Sequence, residues 1–75
     1  MPRFFYDVDD QGRRVHDKLG IDQIDIVHAL HDATFIVQLL ASKRQSKAQP
    51  GVVSVTIRSE NGTCLYEACA TLAFD

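Results

Sequence analysis

The chain has 75 residues, of which 45% are hydrophobic and 24% are charged, a composition typical of one folded domain rather than of a disordered segment. Eight basic and ten acidic residues give a net charge of −2 at pH 7, which provides no electrostatic reason to bind nucleic acid or an anionic membrane. No apolar run approaches the ~20 residues that cross a bilayer and the amino terminus is unlike a signal peptide, so we expect a single cytoplasmic domain over residues 1–75.

The first predicted element is a strand over residues 3–9, because aromatic and β-branched residues dominate this stretch. Alternation places Phe4, Tyr6 and Val8 on one face, which we expect to be the core face. An aspartate-rich turn that ends in glycine follows. It leads into a short polar strand over residues 13–17, which we expect at an edge of the sheet.

The third predicted element is an amphipathic helix from Gln23 to about Arg44, a stretch without glycine or proline. Asp22 is its predicted N-cap, because a carboxylate there can accept hydrogen bonds from the free N–H groups of the first turn. One stripe of the helix is apolar with a period near 3.6 residues and is predicted to pack on the sheet. This core-facing stripe consists of Ile26, Leu30, Ala33, Val37, Leu40 and Ala41.

The predicted helix also carries a second line of residues, roughly opposite the core-facing stripe. A helix that packs on one sheet buries one stripe only, so the second line needs a cover. We expect a second copy of the chain to supply it, because a two-fold interface uses one patch twice. The competing interpretation is that the amino-terminal segment or the 43–51 loop folds over the line. The predicted interface residues are Ile24, His28, His31, Phe35 and Leu39, with Phe35 near the centre and the histidines at the rim.

The last third of the chain predicts a β-hairpin around Asn61-Gly62, a dipeptide that favours a two-residue type I′ turn. Such a turn pairs Glu60 with Thr63 and brings the apolar residues of both strands to one face. The predicted pairs are Ile57 with Tyr66, Val55 with Ala68 and Val53 with Ala70, and Leu72 and Phe74 continue the apolar face.

The predicted fold is therefore α+β, with element order β-β-α-β-β: a four-stranded, mainly antiparallel sheet with one helix packed on one face. The sequence leaves the strand order open, although the long, apolar first and last strands are the favoured central pair. Cys64 and Cys69 lie five residues apart in the last strand, so we expect them to face opposite sides of the sheet and to remain free thiols.

The most metal-like group in the sequence is His28, His31 and Asp32, because residues three and four apart are neighbours on a helix. Without a second ligand cluster these three are too few for a typical metal site, so we expect them to be ordinary polar residues of a solvated helix. The sequence also has no recognisable nucleophile–base arrangement and no glycine-rich phosphate loop. We therefore expect a protein-binding module and not an enzyme, with no cofactor and no small-molecule substrate. A metal-binding protein or enzyme that uses the helix histidines is the alternative.

The opening residues 1–8, Met-Pro-Arg-Phe-Phe-Tyr-Asp-Val, resemble a family of short bacterial proteins of unknown function that begin Met-Pro-Arg, three aromatic residues, Asp and Val. The resemblance continues through the turn that ends at Gly12, the helix entered by Asp22 and the closing hairpin, and so covers nearly the whole chain. It implies the α+β fold, and it implies no activity because the family has no established one. The chain departs from the family in its apolar residues 35–37, where charged residues are more usual, and in its two cysteines.

A looser similarity is to antitoxins of the HicB type, in which an early β-hairpin precedes a helix entered by an acidic residue. This similarity concerns the fold only, and the usual motifs of those antitoxins are not matched. It leaves a regulator linked to nucleic acid as a further alternative. The basic surface that this function needs could come only from Lys43, Arg44 and Lys47 with Arg13 and Arg14.

Overall fold

The computed structural model describes residues 1–73 and contains an antiparallel sheet with one long helix on one of its faces. The predicted α+β class is confirmed, with one additional two-residue strand between the first hairpin and the helix. Phe74, which was predicted to extend the last strand, lies outside the described residues. The elements are β1 (Arg3–Asp10), β2 (Arg13–Val15), β3 (Ile21–Asp22), α1 (Ile26–Ser46), β4 (Gly51–Arg58) and β5 (Cys64–Leu72).

The four main strands lie in the order β2-β1-β4-β5, and β3 pairs with the beginning of β1. The prediction that the first and last strands form the central pair is wrong, because β1 pairs with β4 and β5 lies at an edge. Side-chain volume explains the order. The inward residues of β4, Val53, Val55 and Ile57, are fully buried. The facing positions of β5 include two alanines, and its Tyr66 remains 52% exposed.

The core lies between α1 and the helix-facing side of the sheet. Phe4 and Tyr6 of β1 are buried as predicted, and Val8 is partly buried. The helix buries Ala29, Ala33 and Val37, and the two alanines allow its backbone to approach the sheet closely. Of the predicted core-facing stripe, Ile26 is the exception, since it is exposed in the first turn; Leu30, Leu40 and Ala41 pack against the core.

The helix begins three residues later than predicted, and its N-cap is Asp25 rather than Asp22. An Asp25 carboxylate oxygen accepts a hydrogen bond of 3.0 Å from the backbone N–H of His28. Asp22 belongs to β3, and its carboxylate lies 3.0 Å from the guanidinium of Arg3 in β1. The salt bridge between neighbouring strands thus holds Asp22 in extended backbone and leaves the second aspartate to cap the helix. As a consequence, Ile24 lies outside the helix.

The closing hairpin has the predicted strand register but a different turn. The N–H of Ser59 donates to the carbonyl of Thr63 at 2.9 Å, so the loop contains three residues, of which only Gly62 has a positive φ, 88°. A three-residue loop shifts the pairing by one, and Arg58 accordingly faces Cys64 rather than Leu65. A β-bulge at the next pair takes up Leu65 and restores the predicted pairs of Ile57, Val55 and Val53 with Tyr66, Ala68 and Ala70.

The bulge also changes which way the cysteines face. Cys64 pairs with Arg58 and Cys69 pairs with Ser54, and these two partners lie four residues apart on one strand. Both cysteines therefore point to the same side of the sheet, contrary to the prediction of opposite sides. They are exposed free thiols, as expected.

Candidate protein-interaction site

The helix presents an exposed apolar surface on the side away from the sheet. Phe35 is 61% exposed and Leu39 is 50% exposed, and a spacing of four residues makes their side chains neighbours. His28 and His31 are exposed and continue the line toward the start of the helix. We call these four residues the outer face of α1. Ile24, the fifth predicted interface residue, is 63% exposed but belongs to the segment before the helix.

Neither segment that was considered as an internal cover lies over the outer face. Phe35 keeps most of its surface exposed in the presence of the amino-terminal strand and of the loop over residues 47–50. Within residues 1–73, the competing interpretation of an intramolecular cover is therefore wrong. The outer face is available to another chain.

The outer face is also free of formal charge. Between Val27 and Ser42, a stretch of about four turns, Asp32 is the one residue with a full charge at pH 7. Its carboxylate accepts a hydrogen bond of 3.0 Å from the Tyr6 hydroxyl and another from the side-chain amide of Gln23. A solvated helix face normally carries charged residues, whereas the centre of a protein interface is depleted of them. The middle of α1 therefore lacks the charged residues of an ordinary solvated helix face.

The three residues of the metal-like group serve separate purposes in the structure. His28 Nδ1 lies 2.8 Å from a carboxylate oxygen of Asp25, and this bond lowers the pKa of Asp25. Asp32 is turned toward Tyr6, where burial and the hydrogen bond to Asp32 both raise the pKa of the phenol. His31 is exposed. Over the described residues, no group of three or more His, Cys, Asp or Glu side chains is placed to hold a metal ion.

A second polar region, which the sequence did not reveal, lies on the sheet face away from the helix. Arg58 Nε donates a hydrogen bond of 2.6 Å to Asp7, and its guanidinium lies 5.1 Å from the centre of the Phe5 ring. The bond from Arg58 is the main cause of a lowered pKa of Asp7. Arg58 also donates to the backbone carbonyl of Asp17 at 2.9 Å. These contacts attach the loop after β2 to the sheet.

The Asp17 carboxylate stabilises the same loop through hydrogen bonds to backbone N–H groups. It accepts hydrogen bonds from the backbone N–H groups of Tyr6, Leu19 and Gly20, at 3.0 to 3.1 Å. Burial raises the pKa of Asp17, but the three backbone bonds together outweigh it, so the pKa is lowered. This carboxylate acts as a cap for loop backbone, which is a structural role.

A shallow groove of about 390 Å³ on this sheet face is lined mainly by polar side chains that are already paired. Arg14 lies 3.1 Å from Asp9, and Thr56 donates to Glu67 at 3.4 Å. His16 lies 3.3 Å from Asp7. Among the hydrogen bonds of residues 1–73, none joins a histidine to a serine, threonine or cysteine.

The basic residues considered for nucleic-acid binding are in part committed to acidic partners. The Arg44 guanidinium lies 2.7 Å from Asp10, and Arg14 pairs with Asp9. These pairs tie the end of α1 and the strand β2 to β1. They reduce the positive potential that a phosphate backbone would meet.

The sequence model of one family, a domain of unknown function (DUF6894), matches residues 3–71, nearly the whole chain. No significant match to a curated protein or to a solved structure was found. In the part of the chain that the structure describes, no helix is long and apolar enough to cross a membrane.

Proposed function

The chain belongs to the DUF6894 family, a domain of unknown function, and we propose that it is a non-enzymatic protein-interaction module that forms a homodimer through the outer face of α1. The observation that carries this proposal is the exposure of Phe35 and Leu39 on a helix surface without formal charge. Several polar side chains of the groove on the sheet face are bonded to one another, so the outer face of α1 is the surface on which the proposal rests.

The energetics favour a cover for this surface. Burying one large apolar side chain contributes about 1.5–3 kcal/mol, and each protomer offers two such side chains on the outer face. That gain is large beside the ~5–15 kcal/mol that stabilises a whole domain. A second copy is the simplest cover, because one patch then serves both sides of the interface.

A two-fold axis beside Phe35 gives an arrangement without charge repulsion. The two helices then cross with Phe35 against the partner's Phe35, and His31 approaches the partner's Leu39. His28 lies further from the axis and approaches the partner's Ser42, so it belongs to the rim. The nearest formal charge is that of Asp32, which neighbours His28 and Phe35 on the helix, and its carboxylate is directed away from them to the Tyr6 hydroxyl and the Gln23 amide.

The proposal is tested by two matched substitutions that each place a carboxylate on an exposed apolar position. Phe35→Asp puts the charge at the centre of the proposed interface, whereas Leu19→Asp puts it at an 80% exposed loop residue. Sedimentation velocity should show a monomer for Phe35→Asp and a dimer for Leu19→Asp, with circular dichroism verifying that both are folded. Equal association of the two variants would contradict the proposal.

A further inference from the structure

The outer edge of β5 is unpaired along its whole length. β5 extends from Cys64 to Leu72, and no strand of residues 1–73 lies beyond it. The strand at the other end of the main sheet, β2, has three residues. A short edge strand offers few free backbone groups, whereas a nine-residue edge offers a row of N–H and C=O groups that can pair with another chain.

This edge also lacks the features by which proteins usually block strand addition. Long edge strands are commonly protected by lysine, proline, an inward-pointing charge or a bulge. β5 contains no lysine, arginine or proline, and Glu67 is its one charged residue. The bulge at Leu65 affects only the beginning of the strand, and the pairing with β4 is regular from Tyr66 to Leu72.

The helix-facing side of the edge has room for side chains from an added strand. Tyr66, Ala68 and Ala70 alternate on this side, opposite the fully buried residues of β4. The two alanines are only partly buried, so the margin of the core is open beside them. Branched apolar side chains at alternate positions of a neighbouring strand would pack next to them and against Tyr66.

The other side of the edge carries a negative charge. Glu67 is exposed and points to the sheet face away from the helix, in the row of Ser54 and Thr56. An opposite charge directly across from it stabilises strand pairing, and a like charge destabilises it. Because β5 has no basic residue, a second copy of β5 cannot supply that charge in any register.

We propose that the edge of β5 binds an extended segment of another protein as an additional strand. The segment alternates branched apolar residues, facing the α1 side, with polar residues that include a lysine or arginine across from Glu67. Backbone hydrogen bonds to the edge provide the affinity, and the alternation with the basic residue provides the selectivity. This surface is separate from the outer face of α1, so the inference does not depend on the homodimer.

Two synthetic peptides test the inference on the full chain. Each has nine residues in which valine alternates with threonine, and the central polar residue is lysine in one and glutamate in the other. In nitrogen-15 NMR titrations the lysine peptide should shift the amide signals of β5 and should bind about fivefold more tightly than the glutamate peptide. The Glu67→Lys variant should reverse this preference, and Glu67→Gln should abolish it while keeping the size of the side chain.

Three results would overturn the inference. The first is an absence of signal changes in β5 at millimolar lysine peptide. The second is equal affinity of the two peptides for the wild-type chain. The third is a set of β5 signal changes that appears when the protein alone is concentrated, since this would identify a second copy as the occupant of the edge.

Discussion

The hydroxyl of Tyr6 in β1 donates a hydrogen bond of 3.0 Å to the carboxylate of Asp32 in α1. This bond connects the core to the surface, because it draws the carboxylate of the one charged residue between Val27 and Ser42 toward the sheet. Phe35, which neighbours Asp32 on the helix, and Leu39 thus lie in a surface that has no formal charge of its own. The uncharged character of the outer face thus depends partly on a bond that turns a neighbouring carboxylate away from it.

Tyr6→Phe should lower the free energy of unfolding by about 1–2 kcal/mol, because the partly buried Asp32 carboxylate loses one of its two hydrogen-bond donors. Urea denaturation measures this effect. Tyr66→Phe is the matched control, since Tyr66 is 52% exposed and should tolerate the change with little loss. Equal stability of the two variants would show that the bond contributes nothing.

Asp32→Ala should also destabilise the fold, but it should leave the dimer intact. The Asp32 carboxylate bonds to Tyr6 and Gln23 and to none of the four outer-face residues, so its removal should leave those four side chains in place. Sedimentation velocity and urea denaturation of the same sample separate the two effects. A monomeric Asp32→Ala variant that remains folded would place Asp32 in the interface and contradict the assignment.

Asp25→Ala should lower the stability of the fold, because it removes the N-cap bond to the backbone of His28. Asp22→Ala should cost less, since it removes a half-exposed salt bridge to Arg3. Urea midpoints of both variants test where the helix begins. A larger loss for Asp22→Ala than for Asp25→Ala would contradict the observed N-cap.

The acid stability of the fold should depend on the pair of Asp7 and Arg58. Arg58 lowers the pKa of Asp7 in the folded chain, so the pair contributes stability above the unfolded pKa of about 4 and loses it as the pH falls through the lower folded pKa. Asp7→Asn should therefore reduce stability at pH 7 and make the decline below pH 4 shallower. Urea midpoints between pH 7 and pH 2 measure how stability falls with pH in the wild type and in Asp7→Asn. The same fall below pH 4 in both would contradict the role of the pair.

Alanine substitutions on the outer face should weaken the dimer less as the residue lies further from the proposed two-fold axis. Phe35→Ala should weaken the dimer most, because it removes the central apolar side chain from both protomers, and Leu39→Ala should follow. His28→Ala at the rim should change the dissociation constant little, as rim positions usually do. Dissociation constants from sedimentation equilibrium check the order, and the largest effect at His28 would move the centre of the interface.

The sequence predicted the helix and the hairpins because hydrophobic periodicity and glycine positions are local signals. The turns show the limit of such signals. Asn61-Gly62 favours a two-residue turn, yet that turn type occurs at Gln11-Gly12, where both residues have positive φ. A glycine fits the two- and the three-residue loop equally well. The bulge at Leu65, which restores the predicted strand pairing after the longer loop, has no recognisable signal in the sequence. Strand order depends on whether β4 or β5 pairs with β1 at the centre of the sheet. That choice depends on several segments together, so the pattern of one segment does not predict it.

The candidate site was also predicted only in part, because only its helical spacing is a local signal. The line from His28 to Leu39 follows from helical spacing, and the structure places four of its five residues on one exposed helix surface. Ile24 was wrongly placed within the helix because Asp22 and Asp25 are equally good caps in the sequence, and only the pairing of Asp22 with Arg3 decides between them. The orientation of the Asp32 side chain toward the sheet depends on its bond to Tyr6. Tyr6 is 26 residues away in the chain, so no local pattern predicts this orientation.

The mass of the wild-type chain in solution tests the central claim most directly. A sedimentation-equilibrium series from low to high micromolar concentration at pH 7 should give twice the chain mass of 8.4 kDa at the upper end. Phe35→Asp should give 8.4 kDa throughout the series while its circular dichroism remains that of the folded wild type. A wild-type chain that stays at the monomer mass at high micromolar concentration would contradict the account.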